Sequence, residues 1–363
     1  MKHRQIGNPK IGIVNPDGHA IGIDLGATSV RAAILSHGTT AGRPSVSVHG
    51  IGHVDLPVGA VVNGVVSDQG AVTTALRQLW SDNRFECRNV ILGITNQQIV
   101  VRPLDMPVLP PEQIAKALPF KAREVVPLPL DQALIDWIPL GDGESEGMGD
   151  GTIPGLLIAT PRQPVLAAVQ AIEKAGLQVA RVDLSSFAAL RAIADESCGV
   201  EAVVDIGAHM TNIVIHNHGV PKVVRAVTRG SQELTERIMD ATGLESDRAE
   251  EAKRIQGLTA TNKNFVDAIY EGVRPLLGEI RSSIHYFGAS EGGATVERVS
   301  LTGGGSALPG LAQLLGDHLS IRTDVVAPMQ HIRNRLASKE IQKEETELSA
   351  TAVALGLAMG AAA

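Results

Sequence analysis

Ile21 to Leu35 reads IGIDLGATSVRAAIL, and Val203 to Ile215 reads VVDIGAHMTNIVI. Each copy is an apolar run ending in Asp-x-Gly-Ala, a short polar turn, and a second apolar run. The pattern is that of strand, turn, strand. The aspartates are Asp24 and Asp205, about half the chain apart. Glycines mark a further turn after each second strand, at Gly38 and Gly219. A repeat at this distance implies two related lobes, each offering one acidic turn to a shared cleft.

Such turns have a definite chemistry. Glycine permits close backbone approach to a ligand, and successive turn amides make a nest for anions. A carboxylate repels phosphate, so a cation has to stand between them. Magnesium suits that place, because it takes oxygen ligands and keeps several waters. One copy alone would read as an aspartate capping its own turn. Two copies read as a magnesium clamp by Asp24 and Asp205. Phosphate contacts then fall to the amides and hydroxyls of Ala27, Thr28, Ser29 and Thr211, with Gly26, Arg31, Gly207 and Ala208 as further nucleotide-binding candidates in the same two stretches.

Two further stretches extend the site. LTGGGSALPG, Leu301 to Gly310, follows a strand and precedes a helix, so Gly303, Gly304, Gly305 and Ser306 can lie flat against a nucleoside. It lacks the spacing of a dinucleotide fingerprint, because Leu308 stands where a third glycine is needed. In RAEEAKR, Arg248 to Arg254, Glu250 and Lys253 share a helix face. Alone they read as a surface ion pair; beside the other elements they read as ribose contacts.

The rest of the chain sets the frame. Its 363 residues suggest about two to three domains. Helices are expected from Val72 to Trp80, Glu112 to Val126, Pro164 to Ala175, Ser231 to Ile255, Asn264 to Phe287 and Gly310 to Leu319, and strands at NVILGI, PGLLIAT and VERVSLT. GDGESEGMGDGT, Gly141 to Thr152, reads as a loop. With 44% hydrophobic and 20% charged residues the composition is that of a globular protein. A net charge of −7 and 2% aromatics speak against nucleic-acid binding. Two cysteines, Cys87 and Cys198, supply neither a disulfide framework nor a cysteine-only zinc site. Ala350 to Ala363, the longest apolar stretch, is shorter than the roughly 20 residues a membrane span needs. GASEG, Gly288 to Gly292, has the spacing of a nucleophile elbow, but a helical pattern precedes it where a strand is required. His216 and His218 flank a hairpin tip without a metal-site spacing, and no P-loop occurs.

Together these motifs resemble the actin, hexokinase and heat-shock-chaperone ATPase superfamily. Asp24 to Arg31 resembles its first phosphate motif, Asp205 to Thr211 its second, and Leu301 to Pro309 its adenosine motif. AEEAK resembles the ribose-contacting helix of bacterial actin-like members. Within the superfamily the chain is similar to the PilM family of type IV pilus assembly. That likeness is carried by LPVGAVVNGVVSD (Leu56 to Asp68), the proline-rich stretch from Val101 to Trp137, GEIRSSIHYF (Gly278 to Phe287) and ATAVALGLAM (Ala350 to Met359).

The resemblance implies an α/β actin-like ATPase fold, two lobes of mixed sheet around a nucleotide cleft with an inserted third subdomain. The expected divisions are an irregular arm over 1–18, lobe 1 over 19–102, the insert over 103–180, a return to lobe 1 over 181–202, lobe 2 over 203–345, and a C-terminal helix over 346–363 packing back on the core. It implies ATP with Mg2+ as ligand. Ala27 and the loop at His209 and Met210 depart from the family pattern, and Asp183 and Ser185 in VDLSSFAAL do not match the acidic residue of hydrolytic members. ATP binding with at most weak hydrolysis follows, and no catalytic residue is assigned. A PilM-type protein is cytoplasmic and sits at the inner face of the cell membrane through its partners. It binds the N-terminal cytoplasmic peptide of PilN and reaches PilO and the pilus motor and platform indirectly, in support of pilus biogenesis and twitching motility. Two alternatives stay open at this point: a sugar kinase of the same superfamily, with Asp105 as base, and a division filament protein resembling FtsA.

Overall fold

The computed structural model describes residues 18–40, 43–140, 151–328, 333–334 and 348–362. The irregular arm, Gly18 aside, and most of the loop from Gly141 to Thr152 lie outside the described residues. The chain opens with β1 (His19–Leu25), β2 (Ser29–Thr40), β3 (Arg43–Asp55) and a small hairpin of β4 (Val61–Val62) and β5 (Val65–Val66). Helix α1 (Gln69–Asp82) and β6 (Asn89–Ile94) follow. Next come β7 (Val100–Pro103), β8 (Met106–Pro107), α2 (Pro111–Ala122), β9 (Ala133–Pro139), β10 (Thr152–Ile153) and β11 (Gly155–Pro161). Then α3 (Arg162–Lys174), β12 (Gln178–Leu184) and α4 (Ser185–Ile193) lead to β13 (Val200–Ile206), β14 (Thr211–Asn217) and β15 (Val220–Val227). The last part holds α5 (Gln232–Thr242), α6 (Ser246–Ile255), α7 (Lys263–Ser290), β16 (Arg298–Thr302), α8 (Leu311–Leu319), β17 (Arg322–Val325), β18 (Arg333–Asn334) and α9 (Ala352–Met359).

The two large sheets repeat one topology. The first runs β12-β6-β1-β2-β3-β18 and the second β15-β14-β13-β16-β17. In each, three consecutive strands form an antiparallel meander, and the first of the three also takes a parallel neighbour, β6 or β16. Gly22 pairs with Ile91 in one sheet, and Val203 with Ser300 in the other. The repeat seen in the two Asp-x-Gly turns is therefore a repeat of whole sheets. The third strand of each meander, β3 and β15, is not among the strands expected from the sequence. Gly38 is not a turn; it pairs with Ser45 inside the long β2–β3 ladder. Gly219 does turn the chain, with φ 80°.

Each sheet buries a face under its own helices. Val72, Leu76 and Leu79 of α1, spaced for one helix face, pack with Ala168, Ala171 and Ile172 of α3 on the first sheet. Asp68 caps α1 by accepting the Ala71 amide at 3.0 Å. On the second sheet, α5, α7 and α8 contribute Ile238, Ile269, Ile280 and Leu315 to one core. A third core lies between the sheets. There the wholly apolar α9 and α4 meet Ile91 and Ala20 from one sheet and Val203 and Val214 from the other. Hydrophobicity on all sides is what a helix buried between two layers requires.

β7, β9 and β11 make a separate three-stranded sheet, covered by α2 with its own core of Met106, Leu118 and Trp137. Packing shifts the limits of this insert from 103–180: β7 brings its start to Val100, whereas α3 rests on α1 and β12 pairs with β6. The expected single helical stretch from Ser231 to Ile255 is two helices, because Gly243 adopts φ 71° and ends α5.

A buried polar cluster ties the distal end of the second sheet. Glu201, His216 and Ser300 are all fully buried on adjacent strands. Glu201 accepts from the Asp195 amide at 2.9 Å and from Ser300 Oγ, and its Oε2 lies 3.0 Å from His216 Nε2. The Gly219 amide donates to His216 Nδ1, which leaves Nε2 to carry the proton. This is the role of His216; His218 Nδ1 meets the Glu196 carbonyl. Burial opposes the charge on Glu201, but the hydrogen bonds from His216, Ser300 and the Asp195 amide outweigh it and hold its carboxyl below the ordinary range. Its stabilising contribution is complete at neutral pH and is lost as pH falls through that depressed range. Glu201→Ala strands His216 and Ser300 and is expected to lower stability by about 3–5 kcal/mol, read by denaturant unfolding at pH 7. The variant is also expected to show a shallower loss of stability in acid than the parent chain.

Candidate functional site

The two Asp-x-Gly turns open into one cavity of about 930 Å3, large enough for a nucleotide-sized ligand. Their geometry is the same. The Gly26 amide donates to the Ser29 carbonyl at 3.0 Å, and the Gly207 amide to the Met210 carbonyl at 2.9 Å. A Cβ on Gly26 or Gly207 would stand 2.9 Å from the same carbonyl oxygen that its amide reaches. Only glycine closes so tight a turn without displacing backbone. The aspartates precede the turns by two residues in both copies, at the ends of β1 and β13.

Of the residues expected at the site, Asp24, Gly26, Ala27, Thr28, Ser29, Arg31, Asp205, Gly207, Ala208, Glu250, Lys253, Gly303, Gly304 and Gly305 all line this cavity. Thr211 and Ser306 do not line it. Thr211 is fully buried and donates its hydroxyl to the Arg229 carbonyl at 2.8 Å, and Ser306 donates to the Gly303 carbonyl at 2.7 Å. Asp105, the residue considered as a kinase base, does not line it either.

Asn212 faces the cleft in place of Thr211. It sits opposite Asp205 in the β13–β14 ladder, just as Arg31 sits opposite Asp24 in the β1–β2 ladder. Asn212 donates to Asp205 at 3.0 Å and its amide oxygen accepts from Thr95 Oγ1 at 2.8 Å. Thr95 follows β6, so a Thr95–Asn212–Asp205 chain of hydrogen bonds crosses from one lobe to the other. Equal spacing from each aspartate was the available sequence signal for Asn212.

Burial dominates the electrostatics of the cleft floor. Desolvation pushes the Asp24 carboxyl up to about 6; Arg31 pulls it down and Asp205 pushes it further up. Asp205 is likewise raised by desolvation, against the hydrogen bond from Asn212 and the charge of Arg31. The two carboxylates therefore feel one another across the cleft. A cation between them would relieve both the desolvation and the repulsion. Among the described residues no three His, Cys, Asp or Glu side chains gather as a metal site.

The nucleoside side of the cavity is built on the second lobe. Gly303 adopts φ 83°, and a Cβ there would meet Asp205 Oδ1 at 2.5 Å. Glycine thus lets the loop lie directly on the aspartate. Lys253 is not part of a surface pair: it is buried, and its ammonium donates to the Ser231 carbonyl at 3.0 Å, Thr235 Oγ1 at 2.8 Å and Glu250 Oε2 at 2.6 Å. Those bonds consume its three donors and lock α6 to α5. Desolvation lowers its proton affinity, and Glu250 restores part of it. Glu250 itself lines the cleft beside Ile255, a largely exposed apolar residue that the sequence reading passed over. Asp183 is committed elsewhere, to Arg191 and to the Leu184 amide.

Comparison with known proteins gives a consistent picture. The family described as "Type IV pilus assembly protein PilM" matches residues 22–362. A solved PilM-PilN type IV pilus biogenesis complex superposes with a TM-score of 0.80 at 27% identity, covering 95% of this chain and 98% of that one. MreB5 of Spiroplasma citri bound to AMPPNP shares the fold at TM-score 0.50 and 13% identity, over 93% of this chain and 94% of that one. The cell division protein FtsA of Bacillus subtilis is 22% identical over 358 residues, covering 85% of this chain and 78% of that protein. No helix of the described residues is long and apolar enough to cross a membrane.

A carboxyl raised from 3.8 to about 6 binds protons that the unfolded chain releases. It therefore favours the native state most below pH 4, and that advantage is lost as pH rises to about 6. Asp24→Asn is expected to flatten this slope and to raise the melting temperature of the ligand-free protein at pH 7. A steeper slope in the variant, measured by thermal unfolding across pH 4–7, would contradict the burial of Asp24.

Proposed function

Because the chain belongs to the PilM family of type IV pilus assembly proteins, we propose that it is a nucleotide-controlled scaffold of the pilus machinery that holds ATP with Mg2+ in the inter-lobe cleft. The observation that carries this reading is the convergence of Asp24 and Asp205, on matching glycine turns of separate sheets, over one cavity. Turn amides at Ala27, Thr28, Ser29 and Ala208 are suited to phosphate oxygens. Two carboxylates beside a polyphosphate form a donor set that suits magnesium with its waters. The Gly303–Gly305 loop and the α5–α6 pair fit a nucleoside, with Glu250 as acceptor for ribose hydroxyls and Lys253 positioning it. That MreB5, which shares the fold, is bound to AMPPNP supports a nucleotide as the ligand.

The proposed partner is the N-terminal cytoplasmic peptide of a PilN protein, docking between the first lobe and the insert. The PilM–PilN complex among its structural neighbours supports this choice. Through that peptide the protein would sit at the inner face of the cell membrane, with PilO and the pilus motor reached indirectly. Closure of the lobes on nucleotide changes partner affinity only to the extent that the two states bind the peptide differently. The Thr95–Asn212–Asp205 chain is the contact that closure would strengthen, since it joins the ligand-facing carboxylate to the opposite lobe. Asp183 is engaged by Arg191 and the Leu184 amide, and Ser185 carries no carboxylate, so the reading is of binding with at most weak turnover.

Calorimetry on the full chain tests the site. Asp205→Ala is expected to lower ATP–Mg affinity by about tenfold or more, and an unchanged affinity would overturn the assignment. Titration of a fluorescent PilN N-terminal peptide, with and without ATP–Mg, tests the coupling. A shift of about fivefold or more is expected in the parent chain and none in Asp205→Ala.

A further inference from the structure

Two hydroxyls in the cleft have no partner. Ser29 Oγ and Ser185 Oγ are buried without a hydrogen bond, each on a residue only 2% exposed, and both residues line the cavity. They belong to different elements: Ser29 opens β2 at the first glycine turn, and Ser185 is the first residue of α4. A polar atom withdrawn from water without compensation is costly and calls for a ligand.

The backbone around Ser185 points the same way. α4 begins where the parallel strands end: Asp24, Gly93 and Asp183 lie in one row across β1, β6 and β12. A Cβ on Gly93 would stand 3.1 Å from Ser185 Oγ and 3.5 Å from the Ile23 carbonyl, so the hydroxyl lies over the sheet end beside Asp24. Leu184, at the N-cap of α4, makes no side-chain capping bond. The first-turn amides thus keep their donor capacity, and the helix dipole is positive at that end. Asp183 takes the Leu184 amide there and is itself paired with Arg191, and a helix start at the carboxyl ends of parallel strands is a favourable place for an anion.

We propose that the first turn of α4, with the hydroxyls of Ser185 and Ser29, is a subsite for the terminal phosphoryl group of a nucleoside triphosphate. This rests on the nucleotide reading above. The glycine loop and the α5–α6 pair occupy the second-lobe side of the cavity, where a nucleoside fits. Ser185, Ser29 and Asp24 lie on the first-lobe floor, which the far end of a polyphosphate reaches. A diphosphate leaves both hydroxyls unpartnered, whereas a triphosphate supplies acceptors for them. The site therefore distinguishes the two nucleotides. It does so at the end of a helix that packs against β13 and β14 of the second sheet and against α9, so the difference is registered by both lobes.

Calorimetry with AMPPNP–Mg and ADP–Mg on the full chain tests the subsite. Ser185→Ala is expected to weaken AMPPNP binding by about tenfold, since hydrogen bonds to charged groups are the strong ones, and to leave ADP binding within about twofold. Without nucleotide the variant is expected to melt at or above the parent temperature, because an unsatisfied hydroxyl has been removed. Equal losses for both nucleotides, or no loss, overturn the subsite while leaving the nucleotide reading intact. A parent chain that binds neither nucleotide removes both. If Ser185→Ala melts early, Ser29→Ala is judged by the same AMPPNP-to-ADP ratio, and an unchanged ratio there also overturns the proposal.

Discussion

Two carboxylates that would rather be apart are held at the bottom of one crevice. Asp24 and Asp205 come from separate sheets, each at the last turn before a hairpin, and each loses most of its water. Nothing in hydrophobic packing requires this arrangement, and Arg31 only partly offsets it. The fold carries the cost because the hairpins are parts of two sheets, and α4 and α9 fill the space between those sheets with apolar side chains. Packing fixes the distance between the lobes; the charges have to accept it. Carboxylates held at such a cost gain correspondingly more from a cation and its anionic companion.

How much of this was legible follows from how each feature is encoded. The paired turns were readable because glycine, aspartate and flanking apolar runs recur at one spacing, and the sheets follow from them. The turn residues line the cavity for the same reason. Side chains on strands were harder. Thr211 carries the hydroxyl that phosphate chemistry suggests, but side chains on a strand alternate between faces, and Asn212 is the one directed at the cleft. Ser306 turned onto its own loop. Lys253 looked like a surface residue from its helix spacing alone, because the partner helix α5, which buries it, lies beyond a glycine break that local periodicity does not show. The insert's limits were overrun at its end for a similar reason: α3 has a helix pattern that fits either neighbour, and only contact with α1 assigns it.

Helix α4 links the mechanical and chemical parts of the molecule. Its first residue lines the cavity, its body is buried between the two sheets, and Arg191 near its end reaches the carbonyl of Gly356 in α9 as well as Asp183. Arg181 holds the neighbouring carbonyl of Gly360 at 2.8 Å. Basic groups on the last carbonyls of a helix both satisfy acceptors and complement its dipole. A displacement at one end of α4 therefore cannot be absorbed locally, since packed interiors pass on strain.

The position of α9 has a consequence for how the protein is made. The strands against which it packs, β1, β2 and β6, leave the ribosome before the second lobe, yet the helix that covers them is translated after it. Until it arrives, α4 is the helix that shares a core with Ala20, Ala33 and Ile91. Domains usually fold in the order of synthesis; here the earlier sheet is completed by a helix made after the second lobe. The core between the sheets is thus closed only once both sheets have been made.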